Sequence, residues 1–528
     1  KSTQTGGILS ELDRDFFQEQ GVELAPGPKE LMNMQRFYLY LNMTKPGEKL
    51  ILSYSDTNAK GEGISPAYLI GSIRSLYPKL EIKGGAGVRP HKNSINNYCY
   101  PENPEAGIDL FLEKLVQETE KEHEDIDETD AMFGELYSWY LRNPEYRSRV
   151  QKLVQSAFAG KPKDIISQSV AKALYGEVSP YSATRLERFA ACAFAHFLQY
   201  GMKLTERVEY EFKPMDMGNV MHEALESFAE EVRKRGMKWT ELTEQERNEI
   251  ADRCLDNIVA DYGNTVLKSS ARNEYMIERT RRILRRTVWA LQKQLEQGEF
   301  QPEGFEVTFG GGRIDRVDIM EDQNKVYVKV IDYKTGNTSF DLVYLYHGLQ
   351  LQLMIYLDGA LRVEQKKYPD KEIIPAGVFY YNIKDPMIQE KIDADVEAVS
   401  AGLMKELKMN GLVQADPELV YRMDSSLGSI PVAFNKDGSF RKNSSVADRT
   451  QFAVLGRYVR TKIEKIRSSI LEGDAEVSPY ELGKKNACTY CPYMTVCGFD
   501  RRLSGYEFRR LKNFSDEELW KAFDREAE

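Results

Sequence analysis

No stretch of this 528-residue chain is apolar enough to cross a bilayer, and no signal-peptide pattern opens it. No G-x-x-x-x-G-K-[ST] loop occurs in it either, so these residues carry no P-loop for a nucleotide; "GGAGVRPHK" is glycine-rich but wrongly spaced. Six cysteines are too few for a secreted disulfide framework at this length. Histidine is scarcer still at five, and the zinc-peptidase pattern H-E-x-x-H is absent, because "GNVMHEALE" places Glu226 where the second histidine must stand. Positive charge is outnumbered, with 72 Lys and Arg against 82 Asp and Glu and a net charge of −10. That balance argues against a uniformly phosphate-binding surface but leaves room for one local basic channel. What remains is ordinary for a globular protein, 41% hydrophobic and 29% charged, with length for two or three domains.

The chain opens inside what reads as a continuing domain. Residues 1–85 combine a helical stretch, "PKELMNMQRFYLYLNMT", with a strand, "KLILSYS", as an α/β layer would. Residues 86–178 are expected to hold a Pro-, Asn- and Tyr-rich linker, an acidic run and a helical stretch, "ELYSWYLRNPEYRSRVQKLVQSAF". A larger domain is expected over 179–515, followed by a tail at 516–528. It begins with helical spacing in "SATRLERFAACAFAHFLQYG" and a clear helix in "GNVMHEALESFAEEVRKRG", closed by Gly236. Then come an arginine-rich helix, "IERTRRILRRTVWALQKQL", three strands, one helix over "LYHGLQLQLMIYLDGALRV" and a strand, "AGVFYYNI". "IPVAFNKDGSFRK" predicts a hairpin turning at Asp-Gly.

Chemistry concentrates in "GRIDRVDIMEDQNKVYVKVIDYKTG". Side chains alternate along a strand, so Val326, Val328, Val330, Asp332 and Lys334 share one face, apolar until its last two members. Asp315, on the preceding strand, is expected beside them. Carboxylates converging among valines repel unless something compensates, and a divalent cation does so. Such a site suits Mg²⁺ or Mn²⁺. An adjacent ammonium would orient water or stabilise charge developing on a phosphate. His222 and Glu226 form a one-turn pair on their helix, as do Gln352 and Tyr356 on theirs.

"ACTYCPYMTVCGF" sets Cys488, Cys491 and Cys497 in a C-x2-C-x5-C cluster. Three thiolates call for a fourth ligand, whether the centre is zinc or iron–sulfur. Cys192 is the best candidate, since Cys99 falls in the linker and Cys254 in an ordinary helix. Spacing alone leaves zinc and iron–sulfur open, with zinc the commoner occupant of CxxC sites.

Taken together, "GNVMHEALE", "GRIDRVD", "VIDYKTG" and "QLMIY" resemble, in order, the motifs of the RecB-type branch of the PD-(D/E)XK nucleases. The resemblance implies an α/β restriction-endonuclease-like core with helical additions. It implies that His222, Asp315 and Asp332 hold the catalytic metal with the Tyr333 carbonyl, while Lys334 acts on the attacking water or the scissile phosphate. Gln352 and Tyr356 match the Q-x-x-x-Y element that supports such sites. A lone cysteine in "LERFAACAFAHFLQYG" before these motifs, with C-x2-C-x5-C after them, is similar to the iron–sulfur nuclease domain of the AddB family. There a [4Fe–4S] cluster staples the domain's two ends; Ala193 stands here where a proline commonly follows the first cysteine. The same resemblance implies an AddA-like helicase–nuclease partner and a cytoplasmic role in cutting the 5′-ended strand of unwound DNA during double-strand-break repair. "QRFYLYLNMTKPGEKLILSYS" looks like a worn last motif of a superfamily 1 helicase, with Lys45 and Pro46 where active members place an arginine. The first 85 residues are therefore expected to be part of a helicase-like domain without ATPase chemistry. Arg281, Arg282, Arg285 and Arg286 on the arginine-rich helix are candidates for a DNA channel, weighed against the wet face of an amphipathic helix.

Overall fold

The computed structural model describes residues 11–527 except 23, 56–62, 81–102, 106, 110, 113–114, 116–127, 158–164, 177–181, 208–213, 262–269, 311, 389–395 and 504. The glycine-rich "GGAGVRPHK", Cys99 and most of the acidic run lie outside the described residues. The chain divides into two compact units, Lys1–Lys114 and Leu115–Glu528.

The first unit contains α1 (Glu11–Glu19), α2 (Pro28–Thr44) and α3 (Tyr68–Leu76). α2 has the bounds expected from sequence. Pro28 occupies the first turn, where a missing N–H is harmless, and Glu30 accepts a hydrogen bond from Gly27 N at 2.7 Å. The expected strand at 49–55 joins no ladder among the described residues, and a strand is stable only against a partner.

The second unit opens with α4 (Glu128–Arg142), α5 (Pro144–Ala157) and α6 (Gln168–Tyr175). α7 (Ala183–Ala191) and α8 (Ala193–His196) follow, and a π-turn over Phe197–Gly201 extends the latter. The one helix expected over 182–201 is thus broken. Cys192 is extended at φ −165°, and the next turn is drawn aside where Phe194 N donates to Glu476 O at 3.0 Å. Next come α9 (Pro214–Lys234), α10 (Glu244–Asp261) and α11 (Ala271–Glu296), then strands β1 (Gln301–Phe309), β2 (Gly312–Asp322) and β3 (Lys325–Lys334).

A second helix expected to be continuous is also split, into α12 (Leu342–Tyr346) and α13 (Gln352–Lys367). Gly348 takes φ +78°, with Leu349 N donating to Tyr344 O at 2.8 Å and Gly348 N to Leu345 O at 2.9 Å. This is a Schellman stop, and it re-aims the chain so that Gln352 begins a new helix. β4 (Glu372–Asn382), α14 (Val396–Glu406), β5 (Asn410–Gln414), α15 (Pro417–Met423), β6 (Val446–Ala447) and α16 (Arg449–Glu472) complete the main layers. The Asp437-Gly438 turn forms as expected, with a single bridge joining Phe434 to Phe440.

The six strands make one sheet in chain order, antiparallel from β1 to β3, parallel between β3 and β4, antiparallel to β5 and parallel to β6. Alternation along β3 divides the interior into two cores. Tyr327, Ile331 and Tyr333 face α9, α10 and α11, whereas Val326, Val328 and Val330 face α13 and α16. Gly359 lets α13 close on the sheet, since a Cβ there would come within 2.6 Å of the Phe309 ring. Within the expected tail, 516–528, the described residues form α17 (Asp516–Ala527), which plugs the second core with buried Leu519 and Phe523.

Candidate active site and cysteine centre

The β2–β3 ladder ends with Arg316 opposite Ile331, and Asp315 and Asp332 are the next residues on their two strands. Both aspartates are buried, at 9% and 1% exposure, and Asp332 shares its face of β3 with the valines. Asp315 Oδ2 accepts from Tyr333 N at 2.7 Å. Burial first, then the facing Asp332, pushes the Asp315 carboxyl well above the usual carboxylate range. Burial raises Asp332 too, against the pull of Lys334. The pair stores electrostatic repulsion that a cation would relieve.

Lys334 Nζ lies 2.6 Å from Asp332 Oδ2 and donates to Gln352 Oε1 at 2.8 Å. The Gln352 amide completes the frame, with Nε2 donating to Asp332 Oδ1 at 2.8 Å and to the Tyr356 hydroxyl at 2.9 Å. Lys334 remains 28% exposed, so its ammonium stands between the buried pair and solvent. The one-turn spacing of Gln352 and Tyr356 puts both on the α13 face that meets this strand end.

His222 reaches the same place from α9, its Nδ1 3.3 Å from Asp315 Oδ2. Burial, then Lys334, lowers its pKa, which favours the neutral imidazole that a metal needs. Glu306 of β1 was not anticipated. Its carboxylate sits 4.0 Å from His222 Nδ1 and pairs with Arg313, and its backbone takes φ +48°, a strained value for a side-chain-bearing residue. Ligand atoms of His222, Glu306 and Asp315 all lie within 4.8 Å of one another. An imidazole with clustered carboxylates is a donor set that fits Mg²⁺ or Mn²⁺. Asp332 directs its oxygens to Lys334 and Gln352 in this arrangement, while the Tyr333 carbonyl follows it at the strand end. Glu226, the sequence partner of His222, adds negative potential at Glu306.

On the opposite face of the same strands lies a buried ion triad that sequence reasoning also missed. Arg316 forks onto Asp318 at 2.6 and 2.9 Å, and Lys329 Nζ lies 2.8 Å from Asp318 Oδ2. Aromatic rings of Trp239 and Phe305 lie over the guanidinium, and Phe300 over the ammonium. The R-V-D spacing of "GRIDRVD" was its only signal.

Three of the four DNA-channel candidates on α11 pair with acids. Arg281 pairs with Asp256 at 2.7 Å, Arg285 forks onto Asp252, and Arg282 meets Asp385 at 2.7 Å. Arg286 lies over the Trp289 ring. Arg281 and Arg285 therefore tie α11 to α10, which reduces the positive charge this stripe presents.

Cys192 is brought to the C-terminal trio. Cys192 and Tyr493 share a small core with Cys491 packed against it. Burial, then Cys192, Cys491 and Cys497, pushes the Cys488 thiol up to about 12, and burial raises Cys192 with Cys491 adding to it. All four thiols are free. Thiols held close and costly to ionise fit a metal centre, whose charge reverses that penalty. The segments are also knitted directly, by Tyr493 OH donating to Leu204 O at 3.0 Å and Arg509 donating to Ala190 O. Cys254 stands apart on α10.

Comparison with known proteins agrees with this geometry. The family model described as the PD-(D/E)XK nuclease superfamily matches residues 180–498. Proteins whose names describe one subunit of an ATP-dependent helicase/deoxyribonuclease are similar along the chain. The one from Lachnoclostridium phytofermentans is 39% identical over 100% of this chain and 46% of its own length. Those from Clostridium acetobutylicum and Alkaliphilus metalliredigens are 32% and 31% identical, over 98% and 99% of this chain and 46% and 47% of theirs. The chain thus spans about half the length of the curated relatives it matches. No described helix is long and apolar enough to cross a membrane. With a match over most of the chain, and an acid pair, lysine and histidine gathered at one strand end inside it, this chain belongs to the PD-(D/E)XK nuclease superfamily.

Proposed function

We propose that this chain is the nuclease-bearing part of a helicase–nuclease subunit of the AddB type, hydrolysing phosphodiesters of unwound single-stranded DNA. The observation that carries this reading is the frame of Asp315, Asp332, Lys334 and Gln352 with His222 beside it. A divalent ion held by His222, Asp315, Asp332 and the Tyr333 carbonyl, with Glu306 at hand, would neutralise the acid pair and polarise water and phosphate. The chain's own groups do the rest. Asp332 and Gln352 fix the Lys334 ammonium, which offers a proton donor and positive charge where charge builds on the phosphate. Tyr356 holds the amide of Gln352 in one orientation.

The relatives' name, a subunit of an ATP-dependent helicase/deoxyribonuclease, supports a partner motor, so an AddA-like subunit is the proposed partner, with double-strand-break resection in the cytoplasm as the setting and the 5′-ended strand as substrate. The gathered thiols support a structural [4Fe–4S] staple formed by Cys192, Cys488, Cys491 and Cys497, with zinc as the alternative occupant. For the first unit a helicase-like role without ATPase chemistry rests on Lys45 and Pro46 after Thr44. End-labelled single-stranded DNA tests the reading. Cleavage is expected with Mg²⁺, abolished by EDTA and by Asp332→Ala, and polar from the 5′ end; undiminished cutting by Asp332→Ala would refute the site.

A further inference from the structure

Glu187 of α7 takes no part in the frame just described, yet it touches the frame's base. Its Oε1 accepts from Leu351 N at 2.7 Å and from Gln352 N at 3.0 Å. These are first-turn donors of α13, which has no side-chain cap of its own at Leu351, so they lack partners within the helix. The cap is supplied instead from 164 residues earlier in the chain. A carboxylate is well placed electrostatically at a helix N-terminus, and here it holds the backbone of the one residue whose side chain bridges Lys334, Asp332 and Tyr356.

The arrangement is expensive for a mere cap. Burial pushes the Glu187 carboxyl up to about 7, opposed by the two backbone N–H groups and by Lys334. A local Ser, Thr or Asp would satisfy the same donors without a distant buried acid. What Glu187 adds is a link, because α7 ends at Cys192 and is pinned at Ala190 O by Arg509.

We propose that Glu187 is a positioning residue for strand cleavage, fixing Gln352, and through it Lys334, against the helix that the cysteine centre anchors. The inference rests on the nuclease reading above. Its test is a double-mutant cycle on the full chain, with its partner subunit present, following single-turnover cleavage of an end-labelled oligonucleotide at saturating concentration. Glu187→Ala is expected to lower the cleavage rate about 10- to 100-fold, as ångström-scale misplacement does, with the oligonucleotide concentration at half-maximal rate unchanged. Glu187→Gln keeps an accepting oxygen and is expected to stay within about threefold of wild type. Gln352→Ala combined with Glu187→Ala is expected to be no slower than Gln352→Ala alone, since one residue works through the other. Where Glu187→Ala does not fold, Glu187→Asp withdraws the oxygens by one methylene and carries the same cycle. An unchanged rate in Glu187→Ala, or effects that multiply in the double variant, would overturn the proposal. A wild-type chain that cuts nothing would instead sink the nuclease reading.

Discussion

Replacing Asp318 by alanine should destabilise the second unit sharply, although the residue lies on the sheet face opposite Asp332 and Lys334. Asp318 is fully buried and is the shared counter-ion of Arg316 and Lys329, themselves 1% and 5% exposed. Its loss leaves two cations facing one another in a closed space. Lys329, whose pKa burial already lowers, can shed its proton; a guanidinium cannot. Breaking a buried pair this way costs about 3–5 kcal/mol. A unit of ~400 residues has an unfolding entropy near ~0.9 kcal/mol/K, so Tm should fall by only about 3–6 °C despite the large energy. Chemical denaturation, which reads the energy itself, is therefore the better assay, with calorimetry beside it. Arg316→Met with Asp318→Leu and Lys329→Met, removing all three charges, should recover most of the loss. An Asp318→Ala midpoint equal to wild type would show that the triad does not hold β2 to β3.

Two further outcomes follow from the same electrostatics. Asp315 has a raised carboxyl pKa, so the native state keeps a proton that the unfolded chain releases, and its contribution to stability falls as pH rises through that window. In EDTA, Asp315→Asn should raise Tm at neutral pH, with the gain shrinking as pH falls toward the ordinary carboxylate range; Mg²⁺ should reverse the order. Cys192→Ala should abolish the visible absorption expected of the proposed iron–sulfur centre and, by opening a closed loop of about 300 residues, cost about 5–6 kcal/mol, measured by denaturation and by proteolysis near residues 474–510.

The reacting face was legible because it follows a strict period of two: Val326, Val328 and Val330 announce which way Asp332 and Lys334 point. Glu306 was hidden by an irregularity in β1 between Pro302 and Gly304, which removes the alternation that would have aimed it. Glu187 was invisible because its partners are 164 and 165 residues away, beyond any local pattern. The two helix breaks had different legibility. Gly348 is a visible stop signal, whereas the break at Cys192 is imposed by contact with Glu476. The docked C-terminal helix was readable and overlooked: Ser515 and Glu518 form its capping pair, with Ser515 N donating to Glu518 Oε2 at 3.0 Å ahead of Leu519 and Phe523.

Groups from α9, β2 and β3 are proposed to serve one ion. Calorimetric titration of Mn²⁺ into the chain tests it without recourse to cleavage. Wild type is expected to show one site, weakened at least about tenfold in each of His222→Ala, Asp315→Asn and Asp332→Asn, with folding retained. Undiminished binding in any one of these variants would contradict it.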